Sequence, residues 1–179
     1  MGRAEKPVVT VFGSGRVAPG SSAYHTAQRV GAELARAGFT VATGGYGGTM
    51  EGVSRGAREA GGEVIGVTAE VFASPANRWV TEEIRVQTWQ ERLVKLVELG
   101  AGYVVLPGGT GTLVELAVVW EWMNKGFLPG KPAVVLGEFW GPVLAVLPAA
   151  EVRTQPFLRA QTAEEAAALL RRQLGGRRR

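Results

Sequence analysis

Cysteine is absent from this chain of 179 residues, and histidine occurs only once. The absence of cysteine excludes disulfide bonds, thiolate metal sites and a cysteine nucleophile. A single histidine, His25, also argues against a protein-built zinc site and against a Ser-His-Asp arrangement. We therefore expect no metal and no cofactor, so that any catalysis must rely on other side chains.

Long apolar runs are also missing, and none reaches the length that spans a membrane. No apolar signal segment precedes the first predicted strand, so we expect a cytoplasmic protein that makes no membrane contact. The net charge is +4, and the chain ends in three arginines after two glycines. This ending predicts a frayed basic tail over residues 175–179. Because no aromatic platform accompanies it, we do not expect nucleic-acid binding.

Short apolar runs alternate with helical patterns along the chain. The predicted strands lie at 7–12, 39–42, 63–68, 103–106 and 131–136. The predicted helices lie at 21–37, 49–60, 89–99, from the third glycine loop to about 123, at 140–147 and at 162–174. Residues 69–87 carry turn signals and are predicted to be irregular. The alternation predicts an α/β fold, with a parallel sheet covered by helices on both faces, in one domain of residues 1–174.

The stretch Y-V-V-L-P-G-G-T-G-T-L-V-E, residues 103–115, joins a predicted buried strand to a helix. Its three glycines allow the backbone to approach a ligand closely. The amides of residues 110–113 would then point into a site at a helix N-terminus, which favours an anion such as phosphate. The predicted phosphate-binding residues of this loop are Gly108, Gly109, Thr110, Gly111 and Thr112.

Two more glycine-rich turns follow predicted strands, at 13–15 and 44–48. Ligands of such folds bind at the carboxyl ends of the strands, so we expect the three turns to converge on one site. The further residues predicted to bind phosphate or nucleotide are Gly13, Ser14, Gly44 and Gly45. Neither a Walker pattern nor a full dinucleotide fingerprint is present, so nucleotide triphosphate hydrolysis and NAD redox chemistry are not supported.

Two carboxylates stand at equal spacing from glycine pairs, Glu51 after Gly44-Gly45 and Glu115 after Gly108-Gly109. Both are predicted to lie one turn inside a helix whose N-terminus faces the ligand. For Glu115 two interpretations remain open. It either only complements the helix dipole or lies beside the ligand and takes part in chemistry.

Arg92 falls on the apolar side of the helix predicted at 89–99. A buried charge without a partner is costly, so the sequence predicts an anionic partner for this guanidinium. One interpretation is a structural salt bridge or a side chain that reaches solvent. The other is a contact with a ligand phosphate or with an active-site carboxylate.

The segment P-G-G-T-G-T-L-V-E at 107–115 resembles the P-G-G-x-G-T-x-x-E signature of the LOG (Lonely Guy) family. The segments T-G-G-Y-G-G-T-M-E at 43–51 and Q-E-R at 90–92 agree with that family in order. Its members are cytokinin riboside 5′-monophosphate phosphoribohydrolases, long described as lysine decarboxylases. The resemblance implies a modified Rossmann fold and a homodimer or higher homo-oligomer.

The same resemblance implies an enzyme that hydrolyses the N-glycosidic bond of a purine nucleoside 5′-monophosphate, AMP or an N6-modified AMP. The products are the free base and ribose 5-phosphate. The family's catalytic pair falls on Arg92 and Glu115, and Glu51 and Trp89 are further candidates for the site. The chain departs from the family at Leu93 and Val114, where Lys and Glu are usual, which leaves the base specificity open. The alternative is a non-catalytic carrier of a nucleotide or of molybdenum cofactor from the same superfamily.

Overall fold

The computed structural model describes residues 6–146 and 157–176. Seven strands form one sheet: β1 (Val8–Phe12), β2 (Thr40–Thr43), β3 (Val64–Ala69), β4 (Glu82–Val86), β5 (Gly102–Val105), β6 (Ala133–Leu136) and β7 (Phe157–Ala160). Six α-helices accompany them: α1 (Ser22–Arg36), α2 (Thr49–Glu59), α3 (Trp89–Leu99), α4 (Thr110–Asn124), α5 (Gly141–Val146) and α6 (Ala163–Gly175). The predicted basic tail overlaps the end of α6 at Gly175, and its three arginines lie outside the described residues.

The sheet is parallel throughout, in the order β4-β3-β2-β1-β5-β6-β7. One apolar cluster joins it to α1, α2 and α6, and a second joins it to α3 and α4. Within β5, Val104 belongs to the first cluster, whereas Tyr103 and Val105 belong to the second. Both faces are therefore covered, and the predicted α/β fold is confirmed.

Two edge strands were not predicted from the sequence. Residues 69–87 were expected to be irregular, but Glu82–Val86 forms β4 and pairs in parallel with β3. Three of its five residues are charged and exposed, so no apolar run marks it. At the opposite edge, β7 pairs with β6 over four residues. An edge strand is short and partly solvated, which removes the pattern that identifies a central strand.

No helix within residues 6–146 and 157–176 combines the length and the apolar character needed to cross a membrane.

Helices α1 and α2 pack backbone to backbone at two buried glycines. A Cβ atom at Gly56 would lie 1.8 Å from the carbonyl oxygen of Gln28. A Cβ atom at Gly31 would lie 2.0 Å from the carbonyl oxygen of Val53. Real Cβ atoms do not approach backbone this closely, so any side chain here must push the helices apart. The position of α2 matters for function because its N-terminus packs against the loop that follows β1.

We expect Gly56→Ala to lower the free energy of unfolding by about 3 kcal/mol, because overpacking against backbone cannot be relieved by a side-chain rotation. The matched control is Gly175→Ala, also in a helix, where no atom beyond the adjacent residues and the helix's own backbone lies within 4 Å of the added methyl group. This control should leave stability unchanged or raise it by up to about 1 kcal/mol. Urea unfolding of both variants is the measurement, and equal midpoints would contradict the close helix crossing.

Candidate active site

A cleft of about 500 Å³ opens at the carboxyl ends of β1 and β5. These strands are neighbours at the centre of the sheet, where the chain reverses its direction of strand addition, and such a switch point is the usual ligand site of an open α/β sheet. The loops after the two strands touch, since Ser14 N donates to Pro107 O at 3.4 Å. The lining residues are Gly13, Ser14, Gly15, Arg16, Met50, Trp89, Arg92, Gly109, Thr110, Gly111, Thr112 and Glu115.

The loop after β5 presents free backbone amides at the start of α4. The first helical hydrogen bond runs from Leu113 N to Gly109 O at 2.9 Å, so the Leu113 amide is not available as predicted. The amides of Thr110, Gly111 and Thr112 precede that bond and have no helical acceptor. The N-cap Gly109 makes no side-chain cap, which leaves this helix end open to an anion.

Gly108 does not line the cleft, although it was predicted to bind the ligand. A Cβ atom there would lie 2.2 Å from Thr112 Oγ1. The absence of a side chain therefore lets the loop fold back onto the first turn of α4. Gly108 therefore determines the shape of the loop, while Gly109, Thr110, Gly111 and Thr112 line the cleft.

The glycine turn at 44–48 does not converge on the cleft as predicted, because its backbone holds other parts of the protein. Gly44 O accepts from Arg92 Nη2 at 3.0 Å, and Gly45 O accepts from Asn77 N at 2.7 Å. The turn is also tied to the loop after β1, since Thr49 N donates to Ser14 O at 2.8 Å. Neither Gly44 nor Gly45 lines the cleft, and the residue that reaches it from this region is Met50.

The equal spacing of Glu51 and Glu115 does not give them equal positions. Gly48 has φ +67° and delays the start of α2 until Thr49, so Glu51 is the third residue of its helix. Helix α4 begins at Thr110, so Glu115 is the sixth residue of its own. Glu51 consequently lines a separate pocket of about 510 Å³ between α2 and the segment 72–77. Glu51 is thus not among the residues that line the cleft, and its role beside a ligand stays a prediction.

Arg92 is 7% exposed and is held by backbone carbonyls. Its Nε donates to Val67 O at 2.8 Å and its Nη2 to Gly44 O at 3.0 Å. The guanidinium carbon lies 5.3 Å from the ring centroid of Tyr46 and 5.8 Å from that of Phe72, so both rings add cation–π contacts. Among the described residues it makes no ion pair within 4.0 Å, so the structural salt bridge is not formed, and a contact with a ligand phosphate stays a prediction.

Glu115 is half-buried on α4 and faces the cleft. Burial raises the pKa of its carboxyl to about 7, and the positive charge of Arg92 opposes this rise. Burial also lowers the pKa of Arg92, against the opposing charge of Glu115. The two groups therefore act on each other across the cleft without direct contact. Within the described ranges, no group of three or more acidic or histidine side chains could hold a metal ion.

Two cleft residues, Arg16 and Met50, were not predicted from the sequence, whereas Gly15 lies in the turn at 13–15 that was expected to reach the site. Arg16 follows the predicted turn at 13–15 directly, which is the one local signal that pointed to it. Met50 lies beside the predicted Glu51 and carries no polar group that marks a site. Trp89, a predicted candidate, lies at the cleft as the first residue of α3 and is 37% exposed.

We expect Gly44→Ala to lower kcat/KM about 10- to 100-fold, since small displacements of a catalytic group cost this much. The added Cβ atom would lie 1.6 Å from Arg92 Nη2 and 2.6 Å from the Met50 sulfur, so the guanidinium must move. Gly47→Ala in the same turn is the matched control, because nothing lies within 4 Å of its added methyl group. Steady-state kinetics would contradict this geometry if the two variants behaved alike.

A family model described as the SLOG cluster4 family matches residues 6–152. A cytokinin riboside 5′-monophosphate phosphoribohydrolase from Rhodococcoides fascians is 33% identical over 150 residues, which cover 80% of this chain and 75% of the relative. Its namesake from Mycobacterium tuberculosis is 35% identical over 120 residues, 64% of this chain and 62% of the relative. The solved structure of a molybdenum cofactor binding protein from Rippkaea orientalis gives a TM-score of 0.79 at 23% identity. That match covers 96% of this chain and 99% of the other, and at this identity it shows the shared fold.

Proposed function

The chain belongs to the SLOG cluster4 family, and we propose that it hydrolyses the N-glycosidic bond of a purine nucleoside 5′-monophosphate such as AMP. The products are the free base and ribose 5-phosphate. The observation that carries the proposal is the presence in one cleft of free helix-terminal amides and of a carboxylate, Glu115, that makes no hydrogen bond or ion pair with any described residue. The two relatives named as phosphoribohydrolases support the same reaction.

The amides of Thr110, Gly111 and Thr112 suit the 5′-phosphate of such a substrate. They point outward from the N-terminus of a helix of 15 residues, whose dipole favours negative charge. Glu115 lies almost one and a half turns further along the same helix. A phosphate at the helix end therefore leaves the deeper part of the cleft for the ribose and the scissile bond.

Hydrolysis breaks the bond between ribose C1′ and the base nitrogen. The base leaves with the bonding electrons and takes up a proton, while water adds its hydroxyl group to C1′. Positive charge builds up on the ribose during this step, as in other glycosidic cleavages. We assign the Glu115 carboxylate to stabilising that charge and to accepting the proton of the attacking water.

Arg92 is assigned to keeping Glu115 ionised. Burial favours the neutral carboxylic acid, which can neither stabilise a cation nor accept a proton from water. The guanidinium offsets this effect, because its positive charge favours the carboxylate. The two carbonyl acceptors hold Arg92 in place while it does so, without competing for the Glu115 oxygens.

The test is to incubate the purified protein with AMP and with an N6-modified AMP, and to follow base and ribose 5-phosphate by chromatography. Release of both products is the expected result, and the ratio of the two rates gives the base preference. No release from any purine monophosphate would contradict the hydrolase. If a small molecule then stayed bound through purification, the result would favour the alternative, a carrier of a nucleotide or of molybdenum cofactor.

The homodimer implied by the family resemblance remains a proposal. Exposed apolar side chains available to a second subunit include Trp89 and Val94 on α3 and Leu113 on α4, each 37% exposed. Light scattering after gel filtration measures the mass in solution, and a monomer of 18.9 kDa would contradict the dimer. The cytoplasmic location also stays a prediction from the sequence.

A further inference from the structure

Two arginines line the cleft, and they differ in what surrounds their charge. Arg92 is buried, is bonded to two carbonyls and has Glu115 nearby. Arg16 is exposed, and in the part of the chain that the structure describes its side chain makes no hydrogen bond, ion pair or ring contact. Arg16 is therefore a cation of the cleft lining whose charge no group within residues 6–146 and 157–176 neutralises by direct contact.

The backbone that carries Arg16 is tightly held. Its own amide donates to Ser14 Oγ at 3.1 Å, which closes a short turn. The turn is fixed from two sides, since Ser14 O accepts from Thr49 N at 2.8 Å and Ser14 N donates to Pro107 O at 3.4 Å. The last bond connects the turn directly to the loop that opens α4. The backbone at Arg16 is thus held in place next to the free helix amides.

The charge of a bound phosphate exceeds what those amides supply. A helix N-terminus carries the equivalent of about half a positive charge, whereas a phosphate monoester carries about −1.5 to −2 near pH 7. Arg92 is already opposed by Glu115 and lies with that residue in the deeper part of the cleft. A cation at the helix end would offset more of this charge, and a guanidinium can bind two phosphate oxygens at once.

We propose that Arg16 binds the 5′-phosphate of the substrate together with the amides at the start of α4, and so makes the cleft select nucleotides over nucleosides. The inference rests on the proposed function for the identity of the substrate. It assigns Arg16 to substrate binding only, because the reacting bond lies near Glu115, deeper in the cleft.

The experiment is isothermal titration of AMP and of ribose 5-phosphate into Glu115→Gln, with and without Arg16→Ala. Adding Arg16→Ala should weaken both ligands about 10- to 100-fold, the typical loss for a hydrogen bond between charged groups. The matched control is Arg171→Ala, which removes the same charge from an exposed position on α6 and should change affinity less than twofold. Unchanged affinity in Arg16→Ala, or an equal loss in Arg171→Ala, would overturn the proposal.

A salt titration separates a direct contact from a change in loop shape. The affinity for ribose 5-phosphate should fall as potassium chloride is added, and it should fall less steeply in Arg16→Ala because one charge no longer takes part. If the affinity depended equally on salt with and without Arg16→Ala, the proposed direct contact between Arg16 and the phosphate would be overturned. Base release by the unmodified protein is scored separately, so a protein that binds AMP through Arg16 without cleaving it would refute the hydrolase and keep this inference.

Discussion

Replacement of Glu115 by glutamine is expected to lower the turnover of AMP at least about 1,000-fold, within the range seen when a general base or acid is removed. Glutamine keeps the size and the hydrogen-bonding shape of the side chain. It cannot carry the negative charge that stabilises the developing cation or accept a proton from water. The phosphate contacts lie at the other end of the cleft, so the affinity for AMP should change less than about threefold. Single-turnover base release and equilibrium titration measure the two quantities.

The chain offers a matched control for this change in Glu51→Gln. Glu51 has the same spacing from a glycine pair as Glu115, but it lines the other pocket. We expect Glu51→Gln to keep base release within about threefold of the unmodified protein. Full activity in Glu115→Gln, or an equal loss in both variants, would contradict the role of Glu115.

The same substitution is expected to stabilise the fold at alkaline pH. In the folded protein the pKa of Glu115 is raised from its ordinary value of 4.5 to about 7. Between these pH values the folded state binds more protons than the unfolded state, so the stability of the unmodified protein falls as pH rises from 4.5 through 7. Glutamine does not ionise, so the variant does not lose stability in this way as the pH rises.

The free energy of unfolding of Glu115→Gln should therefore exceed that of the unmodified protein by about 2 to 3 kcal/mol at pH 8 and equal it at pH 4.5. Urea unfolding at the two pH values is the measurement. A stability difference that does not depend on pH would show that ionisation of this carboxyl is not the cause.

Arg92→Met is expected to lower turnover about 100- to 1,000-fold, comparable to the loss of one preorganised charge-stabilising group. Methionine fills much of the space of the arginine stem but brings no charge to the cleft. Without the guanidinium, the pKa of Glu115 must rise above about 7, because Arg92 is the group that lowers it. The acid limb of the rate profile against pH should move to higher pH by the same amount.

Two measurements test the Arg92 prediction further. The variant leaves Val67 O and Gly44 O without their donor, so its fold must be checked by urea unfolding before the rates are compared. An acid limb at unchanged pH would contradict the coupling of Arg92 to Glu115. Arg171→Met, outside the cleft, is the control and should leave both the rate and its pH profile unchanged.

The sequence predicted the central part of this fold better than its edges. The strands β1, β3 and β5 are largely apolar runs, a pattern set by burial on both faces. The strand β4 is charged and solvated, and its pairing with β3 depends on main-chain bonds that leave no local trace. Arg92 was identified because a charge on an apolar helix face is anomalous. Arg16 is an ordinary exposed arginine, and only the folded loops show what it lies beside.

The roles of Gly44 and Gly45 could not be predicted for a related reason. Their local pattern matches that of the loop after β5, which does open onto the cleft. Their partners, Arg92 and Asn77, come from 48 and 32 residues away. Such contacts are decided by the packing of the whole sheet.

The way Arg92 is held has a consequence for how this site varies as sequences diverge. Besides the Met50 sulfur, the acceptors of Arg92 are two main-chain carbonyls, which every amino acid supplies. The hydrogen bond to Val67 O therefore does not depend on which side chain residue 67 carries. The side chain at position 67 must only fill its space in the buried sheet, so other apolar side chains of similar volume would be accommodated there. Position 44 is different, because no side chain fits between its backbone and the guanidinium. We expect homologues to drift freely among apolar residues at 67 and to retain glycine at 44 wherever they retain the arginine.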